Sequence, residues 1–266
     1  MTHLLPHHPG KHALPALGDP ADHARHVRTR DPDATLTGHD GVVLVYQDRA
    51  LAHAVAAYGG HRRTGWVRGN LRLIERSGRR LAVCGGFGPG APAAALILEQ
   101  LVALGIRRVV TVGTAASLHT SLAPGSVVVC TRALRDDGLS QHYLPPGPYA
   151  DPSPGLTRHL TGALHARDAD PRRGAGWTTS AVYRETAAEV ARYGALGILT
   201  ADMEAAGVFA VAEHRGIDAA AVFAVADCLA ERRPRRDHPR TEAALHTAVE
   251  AALAALSAAA RERPHG

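Results

Sequence analysis

Acidic residues follow two apolar segments that we predict to be buried strands. Asp202 and Glu204 come at the end of one segment, just before a helix-forming stretch, and Asp227 directly follows the run "AVFAVA". A carboxylate at the end of a strand can accept hydrogen bonds from two sugar hydroxyls. A buried carboxyl that lacks a partner can instead be poised to act as an acid. The structural alternatives are that Glu204 favours a helix dipole and that Asp227 caps a helix.

Two glycine-containing turns could hold an anion. The segment "GGFGPG", Gly85 to Gly90, precedes a helix, and a predicted strand ends at Gly113 and Thr114. Glycines let the backbone approach a ligand, and the N-terminus of a helix favours negative charge. The spacing matches neither a P-loop nor a dinucleotide fingerprint. Each turn is equally well explained as an ordinary connection, with Thr114 as a helix cap.

Two further segments concentrate polar and aromatic residues. The segment Gly176 to Thr186 contains Trp177, Tyr183, Arg184 and Glu185, and the segment Arg135 to Pro146 is "RDDGLSQHYLPP". An aromatic ring beside a charged pair is suited to stacking on a flat base with polar contacts at its edge. The first segment could instead be a helix N-terminus capped by Thr186. The second could form a pocket wall or a structural loop that turns at Asp137 and Gly138.

The apolar pattern alternates short strands with longer helices. Strands are predicted at 42–46, 71–75, 81–85, 107–113, 126–131 and 220–226, and helices at 49–58, 92–104 and 241–261. This alternation predicts an α/β fold in three layers, α/β/α, with a largely parallel central sheet. Residues 1–40 show no periodicity and are predicted to form an irregular arm, which leaves residues 41–266 as a single domain. Ligands in such sheets bind at the carboxyl ends of the strands.

Composition argues against several classes of protein. The net charge is +5, but only Lys11 of the 30 basic residues is a lysine, so we attribute the charge to codon bias and expect no nucleic-acid partner. Cys84, Cys130 and Cys228 fit neither a zinc site nor a redox pair, and we expect buried, reduced thiols and no metal. No apolar run approaches the roughly 20 residues of a membrane span, and the first residues lack a signal-like apolar stretch. We therefore expect a cytoplasmic enzyme without a membrane partner.

Four motifs in order, within residues 42–230, resemble the nucleoside phosphorylase family, which includes hexameric purine nucleoside phosphorylases and uridine phosphorylases. The motifs are "GFGPGAPAAALILEQLVALGIRRVVTVGTA", "RDDGLSQHYLP", "WTTSAVYRET" and "DMEAAGVFAVAEHRG". The resemblance implies a phosphorylase/hydrolase-like fold and a catalytic domain that cleaves the N-glycosidic bond of a nucleoside, most naturally a purine nucleoside. It implies no organic cofactor, phosphate as the co-substrate, and a homo-oligomer in the form of a dimer-based trimer or hexamer.

The resemblance also implies a role for each matching residue. Glu204 would bind the ribose hydroxyls, Met203 would pack on the sugar, and Asp227 would protonate the purine N7. Thr114 would touch phosphate, and the other implied substrate contacts are Gly113, Asp202, Tyr183 and Arg184. Arg240 falls near the position of a helper arginine. His7 or His8 would reach the 5′-hydroxyl in a neighbouring subunit.

The phosphate site departs from the family pattern at two points. Thr111 stands where the phosphorylases carry an arginine, and "YQDRAL", Tyr46 to Leu51, stands where they carry a Gly-Asp-Pro-x-Arg loop. Arg49 and Arg62 are the candidate substitutes. Without them we expect weak phosphate binding, or hydrolysis by a phosphate-independent nucleosidase. The alternative from another class is an inactive nucleoside-binding protein.

Overall fold

The computed structural model describes residues 8, 10–76, 78–231 and 238–261. The strands of this part of the chain are β1 (Gly41–Val45), β2 (His61–Arg63), β3 (Asn70–Arg76), β4 (Arg79–Gly85), β5 (Arg108–Ser117), β6 (Val127–Asp136), β7 (Tyr149–Ala150), β8 (Arg172–Thr179), β9 (Ile198–Asp202) and β10 (Asp218–Cys228). The helices are α1 (Pro20–Arg28), α2 (Asp48–Tyr58), α3 (Ala91–Ala103), α4 (Ser140–Tyr143), α5 (Pro154–His165), α6 (Ala187–Ala195), α7 (Ala205–Arg215) and α8 (Pro239–Arg261). Short 3-10 turns lie at Lys11–Ala13, Val182–Arg184 and Leu229–Glu231.

The sheet contains a closed ring of strands. β10 pairs with both β5 and β6, and the order continues from β6 through β8 and β9 back to β5. Outside this ring, β1, β4, β3 and β2 follow β5 in that order. The fold class predicted from the sequence is confirmed, since helices flank a central sheet.

The sheet is mixed, which the sequence pattern did not indicate. Five ladders are parallel, namely β1 with β4 and β5, β5 with β10, and β8 with β6 and β9. The five others are antiparallel. Only residues 118–126 connect β5 to β6, too few for the crossover of a dozen or more residues that would let β6 run in the same direction as β5. Because β10 is parallel to β5, β6 runs antiparallel to β10.

Three strands run further than their apolar cores. β5 continues past Gly113 to Ser117, β6 reaches Asp136, and β10 ends at Cys228. Asp227 therefore lies inside a strand, where it pairs with Ala116, and the helix-cap interpretation is wrong. The strands extend because pairing around the ring supplies backbone hydrogen bonds, which the apolar pattern of the sequence does not predict.

The N-terminal segment is more ordered than predicted. α1 begins at Pro20, and the Asp19 side chain accepts a hydrogen bond from the amide of Ala21 at 2.9 Å. Ala24 and Val27, one turn apart, are buried in the core. The prediction of an irregular arm is wrong here, because an apolar stripe of two residues on nine is too short to show as a period.

Helices cover both sides of the sheet. On one side α3 packs on α7 and on α1, and on the other α8 packs on α5 and α2. α8 contains an 18-residue window of mean hydropathy 1.4, and by length and composition it could cross a membrane. Half of that window is buried inside the protein, against α5, β5 and β10, as in the core helix of a globular protein. The expectation that no apolar run reaches this length is thus corrected.

Candidate active site

The register of the ring brings three strand ends together. Ala116 of β5 pairs with Ala201 of β9 on one side and with Asp227 of β10 on the other. Met203 and Glu204 directly follow the end of β9 at Asp202, and Thr114 lies two residues before Ala116 on β5. Neighbouring strands lie about 4.8 Å apart. The positions assigned to sugar, phosphate and base therefore share one edge of the ring.

Glu204 joins the glycine-rich turn to this edge. It is only 5% exposed, and its Oε1 accepts a hydrogen bond from the amide of Gly90 at 2.7 Å. Gly90 has φ +96°, which favours glycine, and it directly precedes α3. Burial, together with the nearby charge of Asp202, raises the pKa of Glu204 from 4.5 to about 7. A hydroxyl-binding carboxylate at this place is consistent with the predicted ribose contact.

Asp202 supports the backbone at Glu204. Its Oδ1 accepts hydrogen bonds from the amides of Glu204 at 2.8 Å and Ala205 at 2.7 Å, at the start of α7. Thr178 Oγ1 donates to the same carboxyl at 3.1 Å. Burial raises the pKa of Asp202 to about 6. These three donors hold the carboxylate and so position the start of α7, and the substrate contact of Asp202 stays a prediction.

Thr111 lies in the protein interior and is bound to a tyrosine. Its Oγ1 is 2.6 Å from the hydroxyl of Tyr46, and Thr111 is fully buried. The Tyr46 ring packs edge-on against Phe87, with 5.6 Å between ring centroids. A Cβ on Gly113 would lie 3.1 Å from this ring, which is a tight contact, so glycine allows the ring to approach the strand closely. Burial first, and then the charge of Glu204, raise the pKa of Tyr46, so this residue lies near Glu204. From the sequence, Tyr46 was named only as the start of the segment that replaces the phosphate loop.

Thr114 has a neutral side chain beside it. Gln47 Nε2 donates a hydrogen bond to Thr114 Oγ1 at 3.1 Å. The other end of this amide, Oε1, is buried and has no hydrogen-bond partner in the described part of the chain. The edge near Thr114 thus carries a hydroxyl and an amide from two neighbouring segments.

The two candidate substitutes for the phosphate-binding arginine, Arg49 and Arg62, lie on different elements. Arg62 is exposed on β2, four strand positions from β5, which corresponds to about 19 Å at ordinary strand spacing. Arg62 is therefore far from Thr114 within one subunit. Arg49 lies on α2 near His246 of α8, whose pKa is lowered first by burial, then by the charge of His53, and least by that of Arg49.

The aromatic segment divides into a core part and an exposed part. Trp177 is buried, its ring packs on Tyr193, and its Nε1 donates to Asp136 Oδ2 at 2.9 Å. Stacking of Trp177 on a base is therefore excluded. Tyr183 is 99% exposed on the 3-10 turn that also carries the exposed Arg184.

The segment from Arg135 to Pro146 forms a structural loop. Arg135 is buried and donates to Ser140 Oγ at 3.1 Å and to the carbonyls of Leu144 and Pro145. Asp137 Oδ1 accepts from the amides of Leu139 and Ser140. These bonds shape the segment, but Asp137 Oδ2 is buried without a hydrogen-bond partner among the described residues, and Leu139, His142 and Tyr143 line a cavity.

The remaining predicted residues are distributed as follows. His7 lies outside the described residues, and His8 is exposed, with its Nδ1 accepting the amide of Gly10 at 3.1 Å. Arg240 is exposed in the first turn of α8. Cys84 and Cys130 are buried free thiols, while Cys228 is half-buried. Over residues 8, 10–76, 78–231 and 238–261, His, Cys, Asp and Glu form no group of three that could hold a metal ion.

Comparison with known proteins gives relatives of low identity. A guanosine phosphorylase from Halorubrum lacusprofundi is 31% identical over 148 residues, which are 56% of this chain and 61% of the relative. A purine nucleoside phosphorylase of the DeoD type from Myxococcus xanthus is 28% identical over 56% of this chain and 63% of the relative. A uridine phosphorylase from Haemophilus influenzae is 25% identical over 56% of this chain and 64% of the relative. The matches thus span less than two thirds of these relatives.

Structure comparison and a family model agree on the fold. The chain is similar to the crystal structure of purine nucleoside phosphorylase from Toxoplasma gondii in complex with immucillin-H, with a TM-score of 0.77 and 22% identity over 85% of this chain and 93% of that one. At this identity the likeness shows the fold. The model of the phosphorylase superfamily matches residues 42–261. Because this match covers most of the sequence, the chain belongs to the phosphorylase superfamily.

Proposed function

We propose that the protein is a nucleoside phosphorylase that transfers the sugar of a purine nucleoside to phosphate. The observation that carries the proposal is the shared edge at which the Gly90–Glu204 hydrogen bond meets Thr114 and Asp227. Each of these groups matches the position that the family resemblance assigns to sugar, phosphate or base. Relatives named as guanosine, purine nucleoside and uridine phosphorylases support the same reaction class.

The reaction follows from the chemistry of these groups. Glu204, as a carboxylate, accepts hydrogen bonds from the ribose hydroxyls and holds the sugar. The N-glycosidic bond breaks through an oxocarbenium-like state, and the bonding electron pair goes to the base. Asp227 delivers a proton to the purine nitrogen, a general-acid contribution of roughly 10²–10⁴-fold. A phosphate oxygen near Thr114 then forms the new bond to the sugar carbon.

A purine base is favoured over a pyrimidine because of Asp227. A proton donor at the base end stabilises a departing purine, whose N7 is basic. The relatives named above include both purine and uridine phosphorylases, at identities of 25–31%. The assignment of a purine base therefore depends on Asp227. Neither the nucleosidase nor the inactive binding protein gains support from those relatives.

The first prediction is that cleavage requires phosphate. Inosine, guanosine, adenosine and uridine are incubated with the protein, with and without phosphate, and free base and sugar phosphate are measured by chromatography. We expect base release from purine nucleosides with an equal amount of sugar 1-phosphate. Two missing charge-assisted contacts would weaken phosphate binding by roughly 10²–10⁴-fold, so saturation should need a high phosphate concentration. Free sugar formed at the same rate without phosphate would refute the phosphorylase assignment.

The second prediction concerns assembly. We propose a cytoplasmic homo-oligomer, a dimer-based trimer or hexamer, in which an N-terminal histidine and an arginine of the edge strand β2 can serve a neighbouring site. This would explain why Arg62 lies far from Thr114 within one subunit. Sedimentation should give a mass that is a multiple of 27.9 kDa. A fully active monomer would contradict the proposal.

A further inference from the structure

The side chain of Gln47 joins the end of β1 to the edge at Thr114. Gln47 stands at the N-cap position of α2, but its side chain makes no capping hydrogen bond. It crosses to β5 instead, where Gln47 Nε2 donates to Thr114 Oγ1 at 3.1 Å. Both residues lie two positions beyond the last pair of the parallel β1–β5 ladder, Val45 with Val112. The bond therefore lies at the carboxyl ends of two parallel strands, where such sheets bind ligands.

One end of the Gln47 amide lacks a partner. Gln47 as a residue is half-buried, but its Oε1 is buried, and no described residue donates a hydrogen bond to this oxygen. Buried polar atoms of folded proteins are seldom left in this state. At the other end, Nε2 has a second hydrogen besides the one that it gives to Thr114, because a primary amide has two. Beside Thr114 the amide therefore has one acceptor and one donor to offer to a ligand.

The hydroxyls and the carboxylate near this amide bring no positive charge to it. The hydroxyl of Tyr46, the residue before Gln47, lies 2.6 Å from Thr111 Oγ1, and Tyr46 is also near Glu204. Thr111 stands where the family resemblance implies an arginine. At these positions hydrogen bonds take the place of a cation, so the direction of each bond, donor or acceptor, decides which anion fits.

We propose that Gln47 determines the specificity for the co-substrate, because its amide accepts an oxyanion that still carries a proton, hydrogen phosphate, and rejects one that carries none, such as sulfate. This inference rests on the proposed function and adds a specificity residue to it. At neutral pH phosphate has a P–OH group, which donates to Oε1, while an unprotonated oxygen accepts the second hydrogen of Nε2. Sulfate has a similar shape but only acceptor oxygens, so one of them would face Oε1 without a hydrogen between the two. That arrangement leaves a buried acceptor unpaired, which disfavours sulfate.

Calorimetric titration with phosphate, arsenate and sulfate tests this selectivity without turnover. At neutral pH and equal ionic strength, we expect the wild-type protein to bind phosphate and arsenate, which both carry a hydroxyl, about tenfold or more tightly than sulfate. In Gln47→Met, a variant of similar length without the amide, the Kd for phosphate should rise about tenfold or more and the preference over sulfate should vanish. In Gln47→Arg, which adds a cation and has no acceptor, sulfate should bind as tightly as phosphate.

Gln100→Met is the matched control. Gln100 is another half-buried glutamine, on α3, and its Oε1 accepts the amide of Arg68 at 2.9 Å. This variant loses a hydrogen bond of the same kind, so its thermal midpoint can fall, but its Kd values for the three anions should equal those of the wild type. In phosphorolysis of guanosine, Gln47→Met should raise the KM for phosphate about tenfold or more and leave the KM for guanosine unchanged.

Two results would overturn the proposal. One is sulfate that binds the wild-type protein as tightly as phosphate, a comparison that needs no variant to fold. The other is a Kd for phosphate that is unchanged in folded Gln47→Met. If the wild type cleaves no nucleoside, the proposed function fails, while the calorimetric titrations still decide whether Gln47 selects the anion.

Discussion

Replacing Glu204 with glutamine is expected to lower kcat/KM for a purine nucleoside by roughly 10²–10⁴-fold while the fold is retained. The glutamine carbonyl can still accept the Gly90 amide, which lies 2.7 Å from Glu204 Oε1. The second oxygen becomes an NH₂ group, which cannot accept a sugar hydroxyl, and the negative charge is lost. Each charge-assisted hydrogen bond contributes about 1.5–3 kcal/mol, and two are removed.

The pH profile separates this effect from a general loss of structure. Since the pKa of Glu204 is about 7 in the free protein, wild-type kcat/KM should fall as the pH drops below that value. The Glu204→Gln variant should lack this acid limb. In the wild type the pKa of Glu204 is about 7 in the folded protein and 4.5 in the unfolded chain, so between these pH values the folded state binds more protons. The contribution of Glu204 to the free energy of unfolding therefore falls as the pH rises from 4.5 to about 7.

Glu213→Gln is the matched control, because Glu213 is an exposed residue of the same helix, α7. Its kcat/KM and thermal midpoint should equal those of the wild type. Unchanged activity in Glu204→Gln, or unfolding of that variant at neutral pH, would contradict the assignment of Glu204 to the sugar.

Asp227→Asn should reduce phosphorolysis of guanosine or inosine by roughly 10²–10⁴-fold, the contribution expected of a general acid. The amide has nearly the same shape as the carboxyl, but it has no acidic proton to give to the departing base. Turnover of 7-methylguanosine should change little, because its base leaves without protonation. Steady-state rates on both substrates measure the difference.

The control for this variant lies at the other end of the same strand. Asp218 begins β10 and forms an ion pair with Arg108 at 3.8 Å. Asp218→Asn should therefore affect stability slightly and turnover not at all. Equal losses on the two substrates in Asp227→Asn would show that Asp227 maintains the site and does not supply the proton.

Much of the fold was predictable because its signals are local. The buried strand β1, the hairpin of β3 and β4, and the long helix α8 all follow from short-range apolar patterns. The family membership was also predictable, since four motifs appear in order. The helix α1 was not predicted, because it buries only two residues, Ala24 and Val27, which are too few for a periodic signal.

Where each side chain points was decided by tertiary pairing. The sequence suggested that Trp177 and Asp202 contact the ligand. In the structure Trp177 is buried against Tyr193, and Asp202 accepts hydrogen bonds from backbone amides at the start of α7. It could not show that Tyr46 would bind Thr111, because the two residues are 65 positions apart.

The amino-acid sequence by itself determined the kinds of element and the chemical groups at the strand ends. Only the tertiary structure decided which of these groups meet. Period and propensity describe a strand alone, whereas its neighbours, its register and the partner of each buried polar group depend on residues far along the chain. The pairing of Ala116 with both Ala201 and Asp227, which assembles the site, is such a long-range contact.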